Sequence, residues 1–435
     1  MAWMFLGGFC ALLFASVALG FHVLWALLGG YLLFFAYGLL RGHTPAALLG
    51  MSAQGIRTVK NILFLFLLIG MTTALWRGSG TIAFLIYHAA GLISPAVFPL
   101  LAFLLCAGMS FLTGTSFGTA ATIGAICMTM ANTMGLSPVL SAGAILSGSF
   151  FGDRCSPMST SALLVSALTE TDLYHNLKRM MATAAVPLAL TCAIYLGAGL
   201  AHREGTFSQS LLEPFAQGFI LHWITVLPAA VIILLSILKC KVKVTMGLSI
   251  LVSGLLCVAL QGMGPGELVK TALLGYSPSL PALKGLLSGG GVISMVKPFC
   301  IVCISSTFSG LFDGTGLLEG MKGLTHRLAG NVTPFGSLLA TSIVTCLISC
   351  NQTLAIMLSH SLCKEDQSRQ ELAIGLENTA VVIAPLIPWS IAGAVPLASL
   401  GAPTAAILAA CYLYLIPLWD LVVHLKRNKQ KERAA

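Results

Sequence analysis

The chain has 435 residues, of which 57% are hydrophobic and only 9% charged, with a mean hydropathy of +0.94. A soluble domain averages roughly 25% charged residues, so this set is too sparse to cover a water-facing surface, and most of the exterior must face lipid. About half of the formal net charge of +9 sits in the tail from Lys426 to Arg433, which reads as a cytoplasmic anchor on anionic lipid and excludes a nucleic-acid footprint.

The first forty residues hold two apolar span-lengths, Ala2–Leu19 and Val23–Leu40, with no basic n-region and no small-residue cleavage cue between them. They predict two membrane helices and not a signal peptide. Further candidate spans follow near 60–76, 93–112, 137–152, 180–200, 217–238, 245–262, 297–312, 333–349, 372–388 and 403–424. Since about 20 apolar residues cross the hydrocarbon layer, the expectation is an all-α polytopic membrane protein of about 10–12 transmembrane helices. The thirteen cysteines are scattered through these apolar stretches. Cys300-Ile-Val-Cys303 has redox or metal spacing, but no histidine is near and it falls inside a span, so it reads as small buried hydrophobes.

Lysine and arginine in short loops set the orientation. Arg41, Arg57 and Lys60 mark one cytoplasmic loop, Lys178 and Arg179 a second, Lys239, Lys241 and Lys243 a third, Lys322 and Arg327 a fourth, and the tail a fifth. These are mutually consistent if 263–296 is external, with Gly289-Gly290-Gly291 as a flexible stretch in it.

The chain also resembles itself. Ala74–Gly80 is similar to Gly310–Gly316, an offset of 236 residues. The same register lays Thr113-Gly114-Thr115-Ser116 on Ser349-Cys350-Asn351-Gln352, and Gly148–Asp153 on Ala384–Trp389. Loop charges precede a span in one half and follow its counterpart in the other, so the two repeats are expected to be inverted, with broken helices or re-entrant hairpins at matching places. The expected layout is an N-terminal hairpin and loop over 1–56, a first repeat over 57–200, connecting helices and the external loop over 201–296, a second repeat over 297–424, and the tail from 425 to 435.

Two stretches concentrate the chemistry. In Ser110–Thr119, glycines and hydroxyls interrupt a long apolar run. Gly114 and Gly118 are expected to break the helix, and Thr113, Thr115, Ser116 and Thr119 to supply oxygens for a small hard cation such as Na+. Close packing of small residues accounts for the glycines but not for the density of oxygen. In Gly148–Ser161, Asp153 lies at membrane depth, where a carboxylate costs on the order of 3 kcal/mol and persists by pairing or titrating. Gly152 and Pro157 are expected to break the helix around it, with Ser156 and Ser159 adding oxygens. An acid so placed holds Na+ or a proton but not both comfortably, which is the physical basis of exchange; the bland reading is a surface Asp153–Arg154 ion pair.

In the second half Asn351, Gln352 and Thr353 offer amide oxygens and a hydroxyl, followed by Glu377 and Asn378. Pro385 and Pro388, with Trp389 and Ser390, read as a second broken hairpin. Glu377 could instead pair with Arg369. Asp313 and Glu319 read as solvated, and Asp420 as a partner of Lys426. There is no phosphate-binding loop, no paired Cys/His spacing and no Ser/His/Asp arrangement with supporting context, so neither an enzyme nor a cofactor is expected.

Thr113–Thr119, Phe151-Gly-Asp-Arg-Cys-Ser-Pro157 and Pro385-Leu-Ile-Pro-Trp-Ser390, in that order, resemble the hallmark stretches of the NhaC family of sodium/proton antiporters, within the wider ion transporter superfamily. The resemblance covers about 20–424. It implies inverted repeats with re-entrant hairpins, ion-coupled exchange and often a homodimer; with the residue reading, the expectation is exchange of Na+ for H+ across a bacterial inner membrane with Asp153 as the Na+-holding acid. It departs where the family commonly carries a second acid after Ser-Pro, since Ser159 is followed here by Thr160. An ion-coupled carrier of a small organic acid or amino acid therefore stays open, as does an ion channel. The expected partners are the bilayer and a small ion or small-molecule substrate.

Overall fold

A computed structural model describes residues 2–19, 23–89, 94–201, 213–238, 240, 242–317, 333–365 and 367–434. Lys239, Lys241, Glu319, Lys322 and Arg327 of the charge pattern lie outside them. Among the described residues there is no β-strand, only an isolated bridge between Tyr276 and Gly289. In chain order the α-helices are α1 (Ala2–Ala18), α2 (Val23–Leu40), α3 (Pro45–Thr58), α4 (Lys60–Gly78), α5 (Thr81–Ala89), α6 (Phe98–Thr113), α7 (Ser116–Thr119), α8 (Ala125–Thr133), α9 (Pro138–Cys155), α10 (Thr160–Thr169) and α11 (Leu173–Ala201). They continue with α12 (Glu213–Gly218), α13 (Leu227–Ile237), α14 (Val242–Ala259), α15 (Pro265–Leu274), α16 (Pro281–Leu287), α17 (Val296–Thr315), α18 (Pro334–Ser349), α19 (Gln352–Cys363), α20 (Arg369–Asn378), α21 (Ala380–Ile383), α22 (Ile391–Leu400) and α23 (Cys411–Ala434).

Leu173–Ala201 and Val292–Thr315 are each long and apolar enough to cross a membrane unaided. Two bent pairs reach span length together, Pro45–Thr58 with Leu63–Gly78 at 46° and Arg369–Leu386 with Ile391–Leu400 at 52°. Large apolar side chains point outward, among them Trp25 at 71% and Leu255 at 69% exposure, as a lipid-facing surface requires.

The bounds of the helices recur. α4 and α17 begin 236 residues apart, at Lys60 and Val296, and α6 and α18 keep that offset at both ends, Phe98 to Pro334 and Thr113 to Ser349. The helices that restart after them, α7 at Ser116 and α19 at Gln352, keep it too. Further on the register slips by a few residues, between α10 and α22 and between α11 and α23.

Small residues let backbones touch. A Cβ on Gly152 of α9 would lie 2.0 Å from the Ser110 carbonyl carbon of α6, and one on Gly148 2.4 Å from the Phe103 oxygen. Gly55 of α3 and Gly310 of α17 meet in the same manner, each 2.0–2.1 Å from a carbonyl oxygen of the other helix (Ser306, Met51). Such seams replace the hydrophobic drive that lipid does not supply between helices. Phe9, Phe34, Phe308 and Phe312 stack edge to face and join α1, α2 and α17. The expected flexible glycines prove otherwise: Gly291 donates to the Gly70 oxygen of α4 at 2.7 Å, and Gly290 abuts Ala74 and Gly291 abuts Gly275, approaches that leave no room for a Cβ.

Candidate functional site

Four helix starts converge on one cavity of about 470 Å³. The local sequence dictates each start through a polar N-cap. Thr115 accepts from the Gly118 amide at 3.4 Å to begin α7, and Ser159 accepts from the Ser161 and Ala162 amides at 3.1 and 3.3 Å to begin α10. Asn351 accepts from the Thr353 amide at 2.9 Å to begin α19, and Ser390 from the Ala392 amide at 3.3 Å to begin α22. The residues next to these caps line the cavity: Thr115, Ser116 and Phe117; Thr160 and Ser161; Asn351, Gln352 and Thr353; Ile391 and Ala392.

The two leading breaks share one geometry. Gly114 closes α6 in the left-handed region (φ 65°, ψ 22°) and Thr115 follows extended (φ −140°, ψ 122°). Cys350 closes α18 likewise (φ 54°, ψ 5°), followed by Asn351 (φ −142°, ψ 127°). Glycine is needed at the first because a Cβ there would meet the Met158 backbone at 2.4 Å. Beyond α7 the helix loosens into a π turn over Ala120–Gly124, a form concentrated at functional sites.

Asp153, in the last turn of α9, is 5% exposed and lines the cavity. Its Oδ2 accepts from Ser161 Oγ at 3.0 Å and from Gln352 Nε2 at 3.0 Å, and Gln352 also donates to the Val381 oxygen at 3.1 Å. Among the described residues Oδ1 receives no hydrogen bond. One oxygen is thus fixed by neutral donors from both halves of the chain, and the other carries no hydrogen bond among the described residues.

Arg154 points away from its neighbour. It is fully buried, and donates through Nε and Nη2 to Asn378 Oδ1 at 3.1 and 2.5 Å, through Nη2 to Thr183 Oγ1 at 2.8 Å, and through Nη1 to the Met180 oxygen at 3.1 Å. The surface Asp153–Arg154 pair is thereby excluded. Asn378 passes the network on, donating to Asp420 Oδ2 at 2.7 Å, and Asp420 borders a second cavity of about 350 Å³ with His424, Arg179 and Glu371.

The cavity therefore gathers Asp153, Thr113, Thr115, Ser116, Asn351, Gln352 and Thr353. Other sequence candidates sit elsewhere. Thr119 stands behind Thr113, at 3.3 Å between hydroxyls, and donates to the Thr115 oxygen. Ser156 donates to the Phe111 oxygen at 2.6 Å, and Ser159 is consumed by its cap and by the Asp153 carbonyl. Glu377 and Asn378 are buried away from the cavity, Asn378 on Arg154. Gly118 and Gly152 lie inside α7 and α9, so they are not breaks; Gly152 serves the close approach of α6. Pro157 follows the end of α9, and Pro385 and Pro388 occupy the turn between α21 and α22, as the proline rule requires. Arg369 pairs with Glu170 at 2.6 Å and not with Glu377, and Asp420 takes Asn378 in place of Lys426. Asp313 is exposed.

Thr160 and Ser161 were missed as lining residues. The signal was available: an N-cap serine at 159 puts residues 160 and 161 in the first turn of a helix that starts a few residues after Asp153. Among the described residues no group of three or more His, Cys, Asp or Glu side chains could hold a resident metal ion.

Comparison with known proteins follows this geometry. The family model described as "Na+/H+ antiporter family" matches residues 1–200 and 150–419. The chain is 26% identical over 436 residues to the malate-2H(+)/Na(+)-lactate antiporter of Bacillus subtilis, covering 96% of this chain and 92% of that one. It is 26% identical to the Na(+)/H(+) antiporter NhaC of Alkalihalophilus pseudofirmus, over 85% of this chain and 82% of the relative. It is also 26% identical to the arginine/ornithine antiporter ArcD of Halobacterium salinarum, over 80% and 74% respectively.

Proposed function

The chain belongs to the Na+/H+ antiporter family and is a multi-pass secondary active transporter, and on that premise we propose that exchange runs through the cavity at Asp153. The observation that carries this is the free Oδ1 of a carboxylate buried at the meeting of four helix starts. Na+ there would find Asp153 together with the hydroxyls of Thr113, Thr115 and Ser116 and the amide oxygens of the Asn351 region, an all-oxygen set suited to a hard cation. A proton on Oδ1 removes the charge that holds Na+, so the two substrates compete for one position and each drives the other out. Supporting the inverted-repeat reading are the shared helix bounds and the paired breaks at Gly114 and Cys350. The loop charges favour a cytoplasmic tail in a bacterial plasma membrane; a homodimer remains an implication of the family resemblance.

A second reading is favoured by one observation. The starts of α10, α19 and α22 aim amide groups and positive dipole ends at the cavity, and such ends attract carboxylates. A small organic anion travelling with the cation would suit them, in line with the malate/lactate relative.

Both readings meet one experiment: proteoliposomes with an internal pH dye, to which Na+, Li+, K+ or organic acids are added in turn. Na+-driven proton flux is expected, and Asp153→Asn should reduce it to the level of empty liposomes while the protein still inserts. Full exchange in that variant removes Asp153 from the mechanism. Accumulation of an organic solute with no cation-driven proton flux overturns the Na+/H+ assignment.

A further inference from the structure

Glu377, in the last turn of α20, is 1% exposed, and its Oε2 has no hydrogen-bond partner among the described residues. An ionised carboxylate left without partners in a buried position costs far more than a neutral acid does, so this conformation suits the protonated form. The charges acting on it are Arg154 and Asp153 of α9. Arg154 makes no ion pair among the described residues, since its donors are taken by Asn378, Thr183 and the Met180 carbonyl. Glu377 and Arg154 are thus both buried, and Arg154 bonds the residue next to Glu377 and not Glu377 itself.

The helices around α20 bring little else that ionises. α10 and α21 hold no titratable residue, and α18 brings Cys346, whose thiol donates to the Ala380 oxygen. α19 carries His360 and Cys363 near its far end, and Cys155 of α9 lies against Arg154. Arg179 of α11 and Asp420 and His424 of α23 border the second cavity, while Tyr412 meets Arg154 at 3.5 Å. On α20 itself Arg369 is taken by Glu170, and Glu371 by the cap at Ser368.

A hydroxyl seam lies alongside. Leu338 of α18 sits where a Cβ on Gly375 would fall, 2.5 Å away, and Ser342 bonds Thr379 at 2.8 Å, so residues 338–342 run beside 375–379. Within that stretch Thr341 Oγ1 is buried without a partner, and Ser337 Oγ on the preceding turn is too. Three polar atoms without partners thus lie on two adjacent helices, and water bridging them would complete a short path.

We propose that Glu377 carries a second proton through the transport cycle, and gives it up when its carboxylate takes the Arg154 guanidinium over from Asn378. The O–H bond breaks, the proton leaves along the hydroxyl seam, and the electron pair stays on the carboxylate as Arg154 becomes its partner. Reprotonation returns Arg154 to Asn378. Residues 377 and 378 precede the break at Thr379, where α20 gives way to α21, and a rotation of that helix end by about 100° exchanges them. The second proton presupposes antiport at Asp153, as proposed above.

Glu377→Gln keeps the shape of the protonated acid and removes its proton. In proteoliposomes with the membrane potential set by K+ and valinomycin, the variant should exchange Na+ with one proton fewer per cycle. The dependence of its flux on imposed potential should drop by one elementary charge relative to the unmodified protein. As a second measurement, purified protein in weakly buffered detergent with a pH dye should release one proton fewer per bound Na+ in the variant. An unchanged proton count in either assay overturns the proposal, and so does loss of Na+ binding in Glu377→Gln, because Na+ is held without Glu377. Asp153→Asn, run in parallel, separates the two ideas: exchange surviving in that variant defeats the Asp153 reading, whereas an unchanged count in Glu377→Gln defeats only this one.

Discussion

Successive residues on an α-helix point about 100° apart, and the end of α9 uses that divergence to send an acid and a base in different directions. Asp153 faces the cavity, where only neutral donors hold it, and Arg154 faces the opposite network built on Asn378. The two side chains should therefore fail differently. Asn378→Ala leaves the buried guanidinium without its main acceptor, at a cost of about 2–3 kcal/mol for a hydrogen bond to a charged group. The expected result is a clearly lower melting temperature in detergent with apparent Na+ affinity little changed in the folded fraction. A large rise in the Na+ concentration needed for half-maximal exchange, without loss of stability, would bring Asn378 back to the ion. Asp153→Asn should show the reverse pattern, function lost and stability kept. The sequence marked Asp153 correctly as an acid in apolar surroundings, but nothing in it told whether Arg154 and Asn378 faced the same space. Helical phase at the end of a helix is decided by where that end packs, and the packing partner lies more than two hundred residues away.

Helices in this chain are shaped by breaks and close approaches, and the two demand glycine for different reasons. Gly114 needs its positive φ and also the space, because a Cβ there would run into the Met158 backbone. Cys350 adopts the same left-handed conformation with a side chain in place, which shows that conformation alone does not require glycine. Gly114→Ala is accordingly expected to destabilise by about 1–3 kcal/mol from overpacking. Cys350→Ala should cost about 1 kcal/mol or less, the value of one small buried group. Thermal unfolding of both variants in the same detergent checks the contrast; equal losses would mean the Met158 contact relaxes freely. Much of this scale was legible: polar interruptions at 113–119 and 349–353 announced breaks, and both are found. Gly118 and Gly152 misled because a glycine's role follows from its neighbour across the helix interface, Ser110 for Gly152, and sequence spacing carries no record of it. The glycines at 289–291 misled likewise, since their packing on α4 depends on a contact with Gly70 that local composition does not encode.

At the scale of the whole molecule the offset of 236 residues is the organising fact. It was visible in the sequence as three short similarities, and it reappears in helix bounds, in the αL closures at Gly114 and Cys350, and in the extended caps at Thr115 and Asn351. Equivalent bounds do not by themselves give the sense of the repeat, since parallel and inverted copies share them. The loop charges argue for inversion: Arg57 comes just before α4 and Lys60 opens it, whereas its counterpart α17 has Lys322 and Arg327 after it. Inversion makes a prediction that parallel repetition contradicts, because residues 236 apart must then lie on opposite faces of the membrane. Asn132 and Ser368 are such a pair, exposed in the last turn of α8 and at the cap of α20. With native cysteines replaced, Asn132→Cys should react with an impermeant maleimide only in right-side-out vesicles, and Ser368→Cys only in inside-out vesicles. Labelling of both from the same side would make the copies parallel. The two breaks at the cavity would then enter it from one face, and an exchange of access around a fixed Asp153 would lose its structural basis.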